Sequence, residues 1–197
     1  TEKNTPMQRN TKGTWSVTLR PQPADIYPYN FIVDGTSVQD PANVNIFPNE
    51  RFKASLLEMP SPNAIYTVRD VPHGQVTYTG YHSEALKTYR PLLVYTPAEY
   101  GQNPDKKYPV FYLISGTTDT EETWFKVGRV NAILDNLIAE GKAEPMIVVM
   151  PYGYMMHGTP TPASMSAAEM YNDFATELTS AIMPFVEKNF RTINDRE

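Results

Sequence analysis

Two short apolar runs, each followed by a glycine turn, constrain the fold of this chain more than any other feature. Residues 110–114 run into Ser115-Gly116, and residues 146–150 run into Pro151-Tyr152-Gly153. Apolar runs without polar alternation are typical of strands buried on both faces, as in parallel sheets. Ligands of such sheets bind beyond the carboxyl ends of the strands, so the two glycine turns are where chemistry is expected.

The segment between the two runs has the periodicity of a helix. Its apolar residues fall on one stripe: Val130, Ile133, Leu134, Leu137 and Ile138. Gly141 stands where a helix commonly ends. The order strand, helix, strand predicts a β-α-β unit with a right-handed crossover.

Further elements are predicted on both sides of this unit. Residues 75–81 and 89–95 read as two strands that could form a hairpin. A long helix is predicted after the unit, opened by a capping box from Ser166 to Glu169 and bent at Pro184. Three carboxylates recur at four-residue spacing along this helix and are interpreted as a solvent-exposed stripe: Glu169, Asp173 and Glu177.

The first 70 residues predict β-structure. Trp15, Val17 and Leu19 alternate with polar residues, which favours a strand with Trp15 facing a core. A second strand is predicted at residues 27–33, followed by an Asp34-Gly35 turn, and a third at residues 64–68. The boundary to the following domain is placed near residues 70–72.

Composition excludes several functional classes. The chain has 197 residues, 41% hydrophobic content and a net charge of -5, with no basic cluster, which argues against a nucleic-acid partner. No apolar stretch is long enough to span a membrane. The absence of cysteine excludes disulfides and thiolate sites, and the spacing of the three histidines matches no metal site. We therefore predict no metal and no cofactor.

Four separated blocks resemble a known enzyme family when they are read in order: residues 108–116, 121–124, 131–142 and 145–151. They are similar to the amino-terminal half of an esterase D-like α/β-hydrolase. Within that group they resemble the bacterial feruloyl and acetyl xylan esterases of carbohydrate esterase family one. The resemblance runs from about residue 71 to residue 197. It implies the first half of a doubly wound α/β-hydrolase sheet in a secreted or periplasmic enzyme. The implied reaction is serine-dependent hydrolysis of acyl esters on plant cell-wall polysaccharide.

Residues 1–70 resemble the companion module of these esterases. The resemblance rests on Gly13-Thr14-Trp15, Tyr27-Pro28-Tyr29 and Val33-Asp34-Gly35. It implies part of an E-set, immunoglobulin-like β-sandwich related to glycogen-binding modules. We expect this module to support the esterase domain by packing, and glycan binding by it is a hypothesis.

The resemblance also implies roles for individual residues after the two apolar runs. The backbone N–H of Thr117 is expected to donate into the oxyanion hole, with Gly116 allowing the close approach. Ser115 stands where the family usually has histidine, and it lacks the flanking glycines of a nucleophile elbow. The candidates for substrate contact are Ser115, Trp124, Tyr152 and Gly153. For Trp124, packing beneath the pocket is the alternative interpretation.

The catalytic triad of the family is expected outside these residues. No Gly-x-Ser-x-Gly turn occurs in the sequence, and the family order of serine, acid and histidine places all three after Glu197. We therefore expect a segment that is inactive alone and needs the remainder of the same polypeptide. The alternative is a non-catalytic glycan-binding or scaffolding protein that has kept the esterase fold.

Overall fold

The computed structural model describes residues 4–116, 118–153 and 167–194. Six short strands lie in its first 70 residues: β1 (Gln8–Arg9), β2 (Trp15–Ser16), β3 (Asp25–Tyr29), β4 (Phe31–Val33), β5 (Thr36–Val38) and β6 (Ser55–Met59). They form three antiparallel two-stranded ribbons, which pair β1 with β2, β3 with β6 and β4 with β5. Assembly of these ribbons into an E-set sandwich stays a prediction.

The strand predicted at residues 64–68 is wrong. The backbone turns there instead, with Ala64 N–H donating to the Ser61 carbonyl and Thr67 N–H to the Ala64 carbonyl, each at 3.1 Å. Two carbonyls of this segment accept hydrogen bonds from a helix side chain described below, so they are not available to a neighbouring strand. The strand that pairs with β3 is β6, which the sequence patterns did not predict.

Two further expectations for this region need correction. The strand predicted at residues 27–33 breaks at Asn30, whose side chain donates to the Lys53 carbonyl at 2.6 Å, so that β3 and β4 pair with different partners. Trp15 does not face a core: it is 60% exposed on the two-stranded ribbon of β1 and β2. The Asp34-Gly35 turn is confirmed, with φ of 49° and 81° at the two residues.

The main sheet contains β7 (Gln75–Ser83), β8 (Thr88–Thr96), β9 (Val110–Tyr112) and β10 (Ile147–Pro151), in the order β7-β8-β10-β9. β7 and β8 form the predicted hairpin, and β10 is antiparallel to β8. β10 is parallel to β9, with Ile147 opposite Val110. The chain between β9 and β10 contains α1 (Thr123–Lys126) and α2 (Val130–Ala139), so the β-α-β unit is confirmed.

Helices cover both faces of this sheet. Val130 and Leu134 of α2 pack against Leu93, Tyr95 and Val148 on one face. On the other face lie α3 (Ala167–Glu177), a π-helical turn (Leu178–Ile182) and α4 (Met183–Asn189). Their apolar stripe packs on the sheet through Phe174, Ile182 and Val186. The predicted long helix is interrupted by this π-helical turn, which ends two residues before Pro184. A kink at Pro184 itself stays a prediction. Ser166, the first residue of the predicted capping box, lies outside the described residues.

Burial differs from expectation at two places. All five residues of β10 are buried, as predicted, but Phe111 of β9 is 50% exposed because β9 lies at the end of the sheet. Glu177 was expected in a solvent-exposed stripe and is instead 2% exposed. It lies beside Tyr81, and the pKa of the Tyr81 hydroxyl is raised first by burial and then by the nearby Glu177 charge.

Candidate active site

The segments that follow β9 and β10 lie next to each other, as the two apolar runs predicted. The parallel pairing continues past β9 through a 2.9 Å hydrogen bond from Leu113 N–H to the Val149 carbonyl. A methyl group placed on Gly153 would lie 3.7 Å from the Ser115 carbonyl oxygen and 3.8 Å from the Ile114 side chain. The two glycine turns therefore share one edge of the sheet, where ligands of such sheets bind.

The turn after β9 is closed by two hydrogen bonds between Gly116 and Asp119. Asp119 N–H donates to the Gly116 carbonyl at 3.0 Å, and Gly116 N–H donates back to Asp119 Oδ2 at 3.3 Å. A methyl group at residue 116 would lie 3.0 Å from Asp119 Oδ2, so a larger residue there would require the Asp119 side chain to shift. Thr117, the expected oxyanion-hole donor, lies outside the described residues, so its role stays a prediction.

Ser115 is half-buried at the carboxyl end of β9. Its hydroxyl donates to the Thr120 carbonyl at 3.4 Å, which is a contact within the turn. A nucleophilic serine needs a base within hydrogen-bond reach, and this bond is to a backbone carbonyl instead. The geometry is therefore consistent with Ser115 shaping the turn. Its proposed contact with substrate is untested.

Tyr152, which follows β10, is contacted by Arg90 and by Glu50. It is 5% exposed, and the Arg90 guanidinium lies 4.9 Å from the centre of its ring. Arg90 also donates to the Tyr152 carbonyl at 2.8 Å. On the other side, the Tyr152 hydroxyl donates to the Glu50 carboxylate. The ring is thus packed on a cation on one side, which leaves less of it available for stacking on a ligand than an open rim position would.

Trp124 is the second residue of α1, directly after the loop that follows β9. It is 37% exposed. A methyl group at Gly128 would lie 2.8 Å from the Trp124 ring, so the ring packs tightly over that glycine. The ring is therefore partly packed and partly open to solvent, which is compatible with both interpretations made from the sequence. Ser115, Gly116 and Gly153 lie together, whereas Trp124 has no described contact with them.

A segment from the first 70 residues borders the same turn, and the sequence analysis missed it. Glu50 N–H donates to the Thr118 carbonyl at 2.8 Å, and Thr120 N–H donates to the Pro48 carbonyl at 3.1 Å. Asn49 pairs with Asp119 in an isolated antiparallel bridge. No local periodicity identifies residues 48–50, and the prolines nearby indicated only a loop.

The described side chains contain no candidate metal centre, since no group of three or more histidine or acidic residues is arranged to hold an ion. Among the same residues, no helix is both long and apolar enough to cross a membrane. Two carboxylates border these turns: Glu50 accepts from the Tyr152 hydroxyl, and Asp119 accepts from Gly116 N–H.

Comparison with known proteins finds an esterase family model and two relatives named as xylanases, one of them also as a feruloyl esterase. The family model described as "Putative esterase" matches residues 83–197. A protein of Xylanibacter ruminicola named endo-1,4-beta-xylanase/feruloyl esterase is 31% identical over 198 residues, covering 98% of this chain and 27% of that protein. Endo-1,4-beta-xylanase Y of Acetivibrio thermocellus is 35% identical over 117 residues, covering 59% of this chain and 9% of that protein.

A solved structure agrees with these matches. A CE1 ferulic acid esterase from Anaeromyces mucronatus, in complex with ferulic acid, superposes with a TM-score of 0.56 at 28% identity. The match covers 70% of this chain and 52% of that chain. This chain therefore spans about a quarter of the first curated relative and about half of the solved one.

Proposed function

This chain belongs to the esterase family whose model matches residues 83–197, and from that premise we propose that it is part of a carbohydrate esterase. The reaction is hydrolysis of a feruloyl or acetyl ester on xylan through a covalent acyl-serine intermediate. The observation that carries the proposal is the adjacency of the turns after β9 and β10, with Gly153 against Ser115. In this proposal the two turns form one side of the cleft that receives the ester carbonyl.

The role of the turn after β9 is to stabilise the oxyanion. Attack on the ester carbonyl places negative charge on its oxygen, and a fixed backbone N–H stabilises that charge more in the transition state than in the substrate. We assign this donor to Thr117, on the family resemblance. The bonds between Gly116 and Asp119 support the assignment, because they fix the backbone at residue 116 and at residue 119, on either side of Thr117.

The substrate class rests on the relatives and on Trp124, the exposed aromatic residue that follows the turn after β9. Two curated relatives are named as xylanases, one of them also as a feruloyl esterase, and a solved relative was crystallised with ferulic acid. Trp124 is 37% exposed and provides a flat apolar surface of the kind that contacts a phenolic ring or a sugar. An enzyme acting on this polymer works outside the cytoplasm, so we propose a secreted or periplasmic location.

The nucleophile, acid and histidine are assigned to the remainder of the same polypeptide. The 197 residues contain no Gly-x-Ser-x-Gly turn, and among the described strands β9 pairs only with β10, so further strands of the sheet can pair on its other side. The 197 residues alone are then inactive. Activity belongs to the longest native polypeptide that contains them, called the parent polypeptide below.

The test is an assay of both proteins on methyl ferulate and 4-nitrophenyl acetate. We expect turnover by the parent polypeptide, lost after treatment with a serine-directed inhibitor, and none by the 197 residues alone. Thr117→Pro in the parent removes the assigned donor and should lower kcat about 100- to 1,000-fold, whereas Thr117→Ala keeps the N–H and should not.

The outcomes separate the two candidate functions. Inhibitor-sensitive turnover by the 197 residues alone contradicts the assignment of the triad to the remainder. An unchanged kcat in Thr117→Pro contradicts the oxyanion assignment. No turnover by the parent, together with saturable binding to soluble xylan, favours the non-catalytic glycan-binding alternative.

A further inference from the structure

We propose that Asn49 is a positioning residue for the loop of residues 115–120, acting from the N-terminal module across the boundary between the two regions. The proposal rests on the proposed function, because it assigns Asn49 an effect on catalysis through the oxyanion loop. Asn49 does not contact the reacting atoms in this proposal. It acts by fixing the residues that flank the oxyanion donor.

Asn49 is buried, and all the hydrogen-bonding capacity of its side-chain amide is used. It is 7% exposed. Its Nδ2 donates to Thr118 Oγ1 at 2.9 Å and to Asp119 Oδ1 at 2.6 Å. Its Oδ1 accepts from the backbone N–H groups of Arg51 at 2.8 Å and Phe52 at 2.7 Å. The two donors and two lone pairs of the amide are therefore all engaged, two toward its own loop and two toward the other region.

The backbone around Asn49 adds a short ladder to these side-chain bonds. Residues 48–50 run antiparallel to residues 118–120, joined by the bonds from Glu50 to Thr118 and from Thr120 to Pro48. The Thr123 hydroxyl also donates to the Pro48 carbonyl at 2.8 Å. The start of α1 and the loop before it are thus bound to one segment of the N-terminal module.

A chain of contacts leads from Asn49 to both sequence neighbours of residue 117. On one side Asn49 binds Thr118 directly. On the other side it binds the Asp119 carboxylate, whose second oxygen accepts from Gly116 N–H at 3.3 Å. Because a misplacement of about 1 Å at a catalytic group can lower the rate about 100-fold, this arrangement links a buried asparagine of the module to kcat.

Asn136 provides a comparison, since it links the same two regions through bonds to residues outside this loop. It is 1% exposed on α2, and its Nδ2 donates to the Ile65 and Thr67 carbonyls at 2.8 Å each. Both asparagines are buried, and both donate two bonds across the boundary. Of these two asparagines, only Asn49 binds residues 115–120. Substitutions at the two positions therefore distinguish an effect on the loop from an effect on the association of the two regions.

The experiment compares three variants of the parent polypeptide. Asn49→Asp removes both donors and puts a second carboxylate against Asp119. We expect kcat on methyl ferulate to fall about 10- to 100-fold with KM within about threefold of wild type. In the double variant Asn49→Asp/Asp119→Asn the donor and acceptor are exchanged, and kcat should recover at least in part. Asn136→Ala should lower the thermal midpoint and leave kcat unchanged.

Hydrogen exchange provides a second readout that needs no substrate. Backbone amides in peptides covering residues 115–121 should exchange faster in Asn49→Asp than in wild type or Asn136→Ala. Unchanged exchange at these peptides overturns the proposal, as does an equal loss of kcat in Asn49→Asp and Asn136→Ala. If the wild-type parent hydrolyses no ester, the proposed function fails, and faster exchange in Asn49→Asp alone still supports the positioning of the loop.

Discussion

At the scale of single residues, Tyr112 connects the core to the loop that carries Ser115 and Gly116. It lies in β9, and burial, followed by the charge of Glu187, raises the pKa of its hydroxyl to about 12. The unfolded chain binds the same proton with a pKa of about 10. Between these two values the folded state holds the proton that the unfolded state has lost. This contribution to stability is therefore complete below about pH 10 and is lost as the pH rises toward 12.

The prediction is that Tyr112→Phe reduces the alkaline loss of stability. The free energy of unfolding, measured with urea from pH 8 to pH 11.5, should fall less steeply above about pH 10 in the variant than in wild type. Tyr89→Phe alters a ring that is 64% exposed and should follow the wild-type curve. Parallel curves for wild type and Tyr112→Phe would exclude Tyr112 as a source of the pH dependence.

Single-residue environments were the part least predictable from sequence. Glu177 occurs at helical spacing with two exposed carboxylates, yet it faces the sheet beside Tyr81 and is buried. Tyr152 was correctly located after β10, but its contacts with Arg90 and Glu50 come from β8 and from the N-terminal region. Such contacts join positions far apart in the chain, and no local pattern encodes them.

At the scale of elements, the β7–β8 hairpin depends on a glycine at a close approach. Gly80 lies opposite Pro91, and a methyl group there would lie 2.4 Å from the Arg90 carbonyl oxygen and 2.5 Å from the Tyr89 ring. The backbone oxygen cannot move without displacing β8. Because Arg90 of β8 also binds the Tyr152 carbonyl, a shift here would extend to the candidate active site.

We predict that Gly80→Ala lowers the free energy of unfolding by about 1–3 kcal/mol, as overpacking usually does. Gly101→Ala is the matched control: nothing lies within 4 Å of the added methyl group, and the change should stay within about 1 kcal/mol of wild type. Urea unfolding of both variants provides the comparison. Equal effects of the two substitutions would mean that the close contact in the hairpin does not limit stability.

The success of element prediction followed the strength of the periodic signal. The predictions of β10, α2 and the hairpin were correct because each signal extends over several residues. The signal is a continuous apolar run for β10, a stripe of apolar residues for α2 and alternation for the hairpin. In the first 70 residues the strands are only two to five residues long, so turns decide where they stop. Asn30 breaks one predicted strand by a bond to Lys53, a residue 23 positions away.

At the scale of the whole molecule, the candidate site is shared between the two regions of the chain. The sequence located the turns after β9 and β10, since parallel strand ends meet at one edge of a sheet. It did not locate residues 48–50, which reach this edge only because the N-terminal module docks beside α1. Predicting that docking requires knowledge of which surfaces meet, and this is not contained in the pattern of either segment.

The exposed edge of β9 leads us to predict that the 197 residues associate with one another when they are isolated. Among the described strands β9 pairs only with β10, and Phe111 of β9 is 50% exposed. Exposed apolar edge strands pair with other chains, so we expect concentration-dependent association in size-exclusion chromatography with light scattering. Phe111→Lys should increase the monomer fraction, whereas Tyr89→Lys, at a ring 64% exposed on β8, should not. Each substitution adds one positive charge to a chain whose net charge is -5, so an equal response would indicate an effect of charge and not of the β9 edge.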